Sequence, residues 1–287
     1  MPELPEIEIV KRSLLEMILR AKIIHVKIKN KKLRYKVPNF FSKQLKNQKI
    51  LKIERRSKYL IFHLNKYLLL AHLGMTGKFL IIRSKDSKLY KTSFYYNLNI
   101  LTKHNHIYFK LNNGLILVYN DVRKFGFFNL IKKNKLNKII FLKKLGLEPL
   151  SNKFNTKYFL NFVEKRNKNI KNLLMDQKFV SGLGNIYVNE SLFMSKIHPL
   201  RVCNSLKKKE INRLINKIKK ILKISISKGG SSIRDFKNTS GQTGSFQQFF
   251  KVYGRENEDC SRISCNNRIK KIFISNRSSF YCPKCQK

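Results

Sequence analysis

Four of the chain's five cysteines fall within the last 28 of 287 residues, as Cys260-x₄-Cys265-x₁₆-Cys282-x₂-Cys285. Two cysteine pairs separated by a hairpin-length stretch are the pattern of a tetrahedral thiolate site, each pair placing two sulfurs on one knuckle. A segment this short buries too little apolar surface to fold alone, so a bound Zn²⁺ is expected to supply much of its stability. Four thiolates fill the coordination sphere, which makes that zinc structural. Arg277 lies in the stretch between the pairs, either aimed at a phosphate or as one more solvated cation. Cys203 stands outside the set.

Charge narrows the partner. With 62 Lys+Arg against 16 Asp+Glu the formal net charge is +46, and so large an excess repels itself unless a polyanion is the working partner. Nucleic acid ranks first and an anionic membrane surface second. A Lys/Ile/Asn-heavy composition is also what an A/T-rich coding sequence yields, so charge supports nucleic-acid binding without proving it. The 42% hydrophobic content, with 21 Phe and 12 Tyr, excludes a wholly disordered polycation. The length suggests about two domains. Apolar runs such as Tyr67 to Ala71 are too short for a membrane span, and Glu3, Glu6 and Glu8 occupy the place where an export signal needs positive charge. The cysteine usage and the absence of an export pattern predict a cytoplasmic protein.

Acids are scarce in this chain, yet three of them fall between positions 3 and 8. If Met1 is removed, Pro2 becomes an N-terminal secondary amine. An α-amine has a reference pKa near ~8, so a useful fraction is unprotonated at neutral pH, unlike a lysine near ~10.4. Such an amine attacking a sugar C1′ gives an iminium that cannot discharge by losing a proton from nitrogen, and so acts as an electron sink for β-elimination. Glu3 beside it can move protons. On composition alone, Pro-Glu-Leu-Pro-Glu equally well just begins a helix.

Periodicity predicts a helix over 5–19 with Ile7, Val10, Leu14 and Ile18 on one face. From about 22 to 147 short β-type runs follow, at Ile23–Ile28, Leu60–Leu64, Leu68–His72, Phe79–Ile82, Ile107–Leu111, Leu115–Tyr119 and Phe127–Ile131. Helical patterns occupy about 153–236, after a linker-like Gly146–Leu150. A Gly/Ser/Thr/Gln-rich loop at Asn238–Gly244 precedes the cysteine module. The expected fold class is α+β: an antiparallel β-sandwich preceded by a helix, then a helical domain carrying a zinc ribbon. The corresponding segments are 1–147, 148–237 and 238–287.

Several ordered blocks resemble one family along the whole chain. They are Met1-Pro2-Glu3-Leu4-Pro5-Glu6, Arg55-Arg56-Ser57-Lys58-Tyr59-Leu60, His72-Leu73-Gly74-Met75-Thr76-Gly77 and Asn120-Asp121-Val122-Arg123-Lys124-Phe125-Gly126. Leu174-Met175-Asp176-Gln177-Lys178, Gly182-Leu183-Gly184-Asn185-Ile186-Tyr187 and Val252-Tyr253-Gly254-Arg255 follow, before the four cysteines. Together they resemble the formamidopyrimidine-DNA glycosylases, enzymes that remove oxidised purines such as 8-oxoguanine and nick the strand.

The resemblance implies that Pro2 is the Schiff-base nucleophile and Glu3 a proton donor. It implies that Lys58 contacts a phosphate and donates a proton for β-elimination, and that Arg277 does the same for δ-elimination. Glu6 would support the site from the helix start. His72, Gly184 and Asn185 would contact DNA, the latter two within a helix–two-turn–helix; without the resemblance, Gly-x-Gly-Asn is an ordinary connecting turn. Met75, Arg123 and Phe125 align with the residues that the family inserts into the duplex when the damaged nucleotide leaves the stack, though singly Met75 or Phe125 suits a core. The loop Asn238–Phe246 resembles one that closes over the extruded base, or is a flexible connection. Implied partners are duplex DNA with oxidised bases or abasic sites, and the chain is expected to act as a monomer.

Two departures stand out. The family's first knuckle is usually Cys-x₂-Cys, and Val122 occupies a place where proline is usual. The metal is expected to be retained; a looser loop before Arg123 is expected. Two rivals remain. Endonuclease VIII-like enzymes use the same amine on oxidised pyrimidines, but Leu4 and the 238–246 loop argue against that class. A non-enzymatic zinc-ribbon nucleic-acid-binding protein would share the charge and the metal.

Overall fold

The computed structural model describes residues 2–83, 89–91, 102–133, 140–231 and 246–287, with 89–91 and 140 by backbone alone. The chain forms two compact units, Met1–Ile140 with Lys228–Ser245, and Phe141–Ser227 with Phe246–Lys287.

The first unit opens with helix α1 (Leu4–Ile18), which begins and ends one residue ahead of the predicted span. Glu3 is its N-cap, and Glu3 and Glu6 form a reciprocal capping box with proline in the first turn. Ile7, Val10, Leu14 and Ile18 are buried on one face, as their spacing requires. Each contributes roughly 1.5–3 kcal/mol by leaving water, so this stripe outweighs the cap, worth about 1 kcal/mol, in holding the helix down.

Two antiparallel sheets follow. The five-stranded sheet has the order β1-β7-β8-β5-β6, built from β1 (Ile23–Ile28), β5 (Lys78–Arg83), β6 (Leu89–Lys91), β7 (Asn105–Leu111) and β8 (Leu115–Asn120). The four-stranded sheet has the order β2-β3-β4-β9, from β2 (Lys52–Arg56), β3 (Tyr59–His63), β4 (Tyr67–His72) and β9 (Phe127–Lys132). Their shared core includes Phe62, Phe79, Phe109, Phe128 and Tyr119, packed largely edge to face. The sheet-forming runs match the predicted ones closely, with β2, β6 and the short helix α2 (Phe41–Leu45) added. Lys-Ile-Glu-Arg-Arg reads as a solvated segment because only Ile53 is buried; its pairing with β3 makes it a strand.

Helix α3 (Ile140–Lys143) starts on the last residue of the first segment, and the second unit holds the rest of it with α4 (Thr156–Val163), α5 (Ile170–Met175), α6 (Asn185–Met194), α7 (Lys208–Ser227) and the hairpin β10 (Lys270–Ile274)–β11 (Arg277–Tyr281). The segment read as a linker is tied into this unit. Gly146 N–H donates to Gln177 O, and Ser181 N–H to Leu147 O. A side chain on Gly146 would meet the Phe179 carbonyl oxygen at 2.2 Å, so the close approach requires glycine. Helix α6 is buried almost throughout, from Ile186 to Phe193, because other elements pack on opposite sides of it. Among the described residues no helix is long and apolar enough to cross a membrane.

Candidate functional site

Pro2 is buried immediately ahead of the Glu3 cap. Glu3 N–H donates to Glu6 Oε2 at 2.8 Å, while Glu6 Oε1 accepts from Ser231 N–H at 2.9 Å and Ser231 Oγ at 2.8 Å. Glu6 thus holds the helix start and the segment leading to residue 231 with one carboxylate. Gly229 and Gly230 turn that segment at positive φ (79° and 82°). Residues 238–245 of the predicted base-closing loop lie outside the described residues; Phe246 is buried and stacks on Tyr187.

Lys58 sits in the two-residue turn joining β2 to β3, only 6% exposed, beside Ser57 at φ 57°. A non-glycine residue in the left-handed region needs support, and Arg55 gives it. Its Nη1 donates to Ser57 O at 3.0 Å and its Nε to Glu8 Oε2 at 3.1 Å, so α1 braces the turn. Tyr59, next in sequence, pairs across the sheet with His72. The His72 ring stacks on Phe127 and accepts from Gly74 N–H through Nδ1 at 3.0 Å. Burial, with the Lys58 and Arg34 charges behind it, lowers its pKa to about 4. At neutral pH His72 is therefore an uncharged imidazole whose proton is on Nε2, a hydrogen-bond donor beside a lysine.

Met75, Arg123 and Phe125 come together on two neighbouring loops, 73–77 after β4 and 121–126 after β8. Arg123 Nη1 lies 3.1 Å from Met75 Sδ, and its guanidinium sits 4.5 Å from the Phe125 ring centroid. Met75 is 39% and Phe125 43% exposed, so neither is a core side chain. The loops approach backbone to backbone. A Cβ on Gly74, which has φ 64°, would stand 2.5 Å from Phe125 C, and one on Gly126 would stand 1.8 Å from Tyr119 Oη. Val122 is exposed, and Asp121 Oδ1 beside it accepts from Arg123 N–H at 3.2 Å.

In the second unit, the two turns between α5 and α6 close around Gln177. Its Oε1 accepts from Gly182 N–H at 2.8 Å, and its Nε2 donates to Met175 O and Leu183 O. Gly182 takes φ 95°, Gly184 is the N-cap of α6, and Asn185 opens that helix. Asn185 Nδ2 donates to Ser278 O at 2.9 Å, one residue from the exposed Arg277. Ser275 and Asn276, both at positive φ, make the tight turn that presents Arg277.

Four further side chains, all missed by motif reading, hold the cysteine module, three of them by clamping this hairpin. Lys171 Nζ donates to Ser278 O at 2.9 Å and Ser279 Oγ at 2.5 Å, and Asn172 Nδ2 donates to Ser275 Oγ at 2.9 Å. Asn189 Oδ1 accepts from Phe280 N–H at 2.8 Å. The buried Glu190 carboxylate accepts from the N–H groups of Lys251, Val252 and Tyr253, fixing the approach to the first knuckle. The recoverable signal lies in α6, where Asn189, Glu190 and Ser191 are polar residues on a helix buried almost throughout.

The sulfurs of Cys260, Cys265, Cys282 and Cys285 lie within 4.8 Å of one another, with Cys260–Cys285 at 3.9 Å and Cys265–Cys282 at 3.6 Å. A tetrahedron with metal–sulfur bonds of ~2.3 Å has sulfur–sulfur edges of about 3.8 Å, so the donor set fits one metal ion. Within the longer first knuckle Ile263 is fully exposed and Arg262 Nη2 donates to Phe193 O at 2.8 Å, while the four sulfurs still gather.

Comparison with known proteins agrees with this arrangement. The formamidopyrimidine-DNA glycosylase N-terminal domain matches residues 1–128, and the H2TH domain of formamidopyrimidine-DNA glycosylase matches 145–237. The chain is 41% identical to formamidopyrimidine-DNA glycosylase of Bartonella tribocorum over 100% of both chains. It is 40% identical to the Streptococcus mutans enzyme of the same name, again over 100% of both. Among solved structures, a Lactococcus lactis FPG mutant in complex with Fapy-dG-containing DNA superposes with TM-score 0.86 at 37% identity, covering 100% of both chains. The L. lactis Fpg complex with abasic-site DNA gives 0.85 at 36% identity, with 99% of each chain covered. The chain belongs to the formamidopyrimidine-DNA glycosylase family.

Proposed function

We propose that this chain is a bifunctional DNA glycosylase and AP lyase that excises oxidised purines, 8-oxoguanine and formamidopyrimidines, from duplex DNA. The observation that carries the reading is the Pro2–Glu3 pair, held at a capped helix start by Glu6. After removal of Met1 the Pro2 nitrogen attacks C1′, the C1′–base bond breaks, and the base leaves with that electron pair and takes up a proton. Glu3 protonates the ring oxygen as the sugar opens to the iminium. Loss of a C2′ proton then expels the 3′ phosphate, and a second elimination expels the 5′ phosphate, leaving a one-nucleotide gap.

Lys58 and Arg277 supply phosphate contacts and protons for the two eliminations; His72, Gly184 and Asn185 add uncharged donors to phosphate. Met75, Arg123 and Phe125 fill the space vacated by the extruded nucleotide, because C1′ is out of reach in stacked DNA. The described complexes of relatives with Fapy-dG and abasic DNA support this substrate class. The four cysteines hold one structural Zn²⁺, with no open position for substrate. The segments 1–147, 148–237 and 238–287 serve as catalytic, helix–two-turn–helix, and loop-plus-zinc-finger parts, in a monomer working in the cytoplasm.

Borohydride trapping on a duplex with 8-oxoguanine opposite cytosine, followed by peptide mapping, tests this. A covalent adduct on Pro2, lost when Met1 is retained, is the expected result. An adduct only on an oxidised pyrimidine would transfer the chain to the endonuclease VIII-like class. No adduct on either, with DNA and zinc both bound, would leave a nucleic-acid-binding protein without catalysis.

A further inference from the structure

Asp121 is fully buried, and its two carboxylate oxygens are divided between the loops that carry Met75 and Arg123. Oδ1 accepts from Thr76 Oγ1 at 2.5 Å and from Arg123 N–H at 3.2 Å, and the Thr76 hydroxyl also accepts from Arg123 N–H at 3.0 Å. Oδ2 accepts from Tyr119 Oη at 2.9 Å and Gly126 N–H at 2.9 Å. Thr76 follows Met75 directly, while Arg123 and Gly126 bracket Phe125. One carboxylate therefore fixes the backbone beside all three exposed side chains.

The surrounding chain is shaped to let it do so. Gly77 and Gly126 lack side chains where the Tyr119 hydroxyl passes, since a Cβ would lie 2.6 Å and 1.8 Å from it respectively. Asp121 is itself anchored on both sides of its peptide, its N–H donating to His104 O at 3.0 Å and its carbonyl lying 2.7 Å from His106 Nε2. An amide cannot replace the acid here. Asparagine has one carbonyl oxygen, so it satisfies the Thr76–Arg123 pair or the Tyr119–Gly126 pair, and turns N–H donors on the other.

We propose that Asp121 is a positioning residue that locks the two loops into a single preformed insertion element, so that Met75, Arg123 and Phe125 enter the duplex together without first being ordered. This rests on the proposed assignment of those three residues to insertion. An element ordered before DNA arrives pays no ordering entropy during extrusion, so the effect falls on the extrusion step and not on electrostatic attraction to undamaged DNA.

The test is stopped-flow fluorescence of 2-aminopurine placed beside the lesion, on the zinc-loaded full chain, with Asp121→Asn and Thr76→Val. Extrusion slows at least tenfold in Asp121→Asn and about threefold in Thr76→Val, while affinity for undamaged duplex stays within twofold of wild type. In an Arg123→Ala background Thr76→Val costs less than it does alone, because one of the side chains that the lock positions is already gone, whereas a merely structural threonine would cost the same in both. If Asp121→Asn fails to fold, Thr76→Val and its cycle with Arg123→Ala decide. Wild-type extrusion by Met75→Ala and Arg123→Ala would mean that the insertion assignment is wrong, and the inference falls with it. Slow extrusion by those two, with Asp121→Asn and Thr76→Val at the wild-type rate, overturns the inference alone.

Discussion

Asn185 Nδ2 and Lys171 Nζ converge on one acceptor, each 2.9 Å from the carbonyl oxygen of Ser278. The first opens α6 and the second lies in α5, so the two-turn motif and the hairpin of the cysteine module are joined one residue from Arg277. Burial, then the neighbouring Arg277 charge, lowers the Lys171 amine to about 7. Between about 7 and ~10.4 the unfolded chain binds a proton that the folded chain releases, so this amine makes stability rise with pH across that window. Lys171→Met is expected to flatten that rise, as read by urea unfolding at pH 7 and 9.5. It is also expected to weaken binding to abasic-site DNA by about tenfold through loss of the Arg277 contact, about 1.4 kcal/mol.

His72 gives a pH dependence on the acid side. Its folded pKa of about 4 lies below the ordinary ~6.5, so in that interval the unfolded state binds the extra proton. Stability is lost as pH falls from 6.5 towards 4, by up to about 3 kcal/mol. Replacing His72 with Gln, which keeps a donor without titrating, is expected to leave unfolding near pH 7 little changed and to remove that acid-side loss. A thermal melt series from pH 7.5 to 4.5 on both proteins decides it.

The interlocked glycines make a sharper packing prediction. Gly126→Ala places a methyl 1.8 Å from Tyr119 Oη and is expected to cost at least about 3 kcal/mol by overpacking. Tyr119→Phe removes that oxygen, and the pair should show a favourable coupling of about 1 kcal/mol in a denaturation cycle. Gly77→Ala should recover far less in the same background, because its nearest obstacle is the Leu73 carbonyl oxygen at 2.2 Å, which no side-chain change removes.

Removing the metal should act locally first. The hairpin and knuckles share a small apolar cluster of Val252, Ile269 and Phe280 with Phe193 of α6, too little to hold without the ion. Cys282→Ser, or chelation of the wild-type chain, is expected to expose residues 260–287 to limited proteolysis while α5 to α7 stay protected. Metal content should fall from one ion per chain to none, and affinity for abasic-site DNA should drop with it.

Much of this molecule was legible from local pattern. The 3.6-residue period of Ile7, Val10, Leu14 and Ile18 placed α1, and apolar runs marked most strands, because burying one face imposes its own spacing on the chain. The four- and two-residue spacings within the cysteine pairs likewise pointed to the metal cluster, since neighbouring ligands are a local property. Motif resemblance singled out Lys58, His72, Met75, Arg123, Phe125, Asn185 and Arg277 without saying what holds them. That was decided in three dimensions. Asp121 serves two loops 45 residues apart in sequence through Thr76, and Lys171 reaches Ser278 across 107 residues. Hydrogen bonds at such separations leave no periodic trace, because each requires only one polar atom at one place. The turn at Val122 shows the same division: the bond from Arg123 N–H to the buried Asp121 carboxylate follows from the fold and not from any spacing in the sequence. Local spacing carried most of the elements and the motifs; the close approach of glycines to the Tyr119 hydroxyl and to the facing loop backbone, with the sharing of buried acceptors, decided how rigidly those motifs are held.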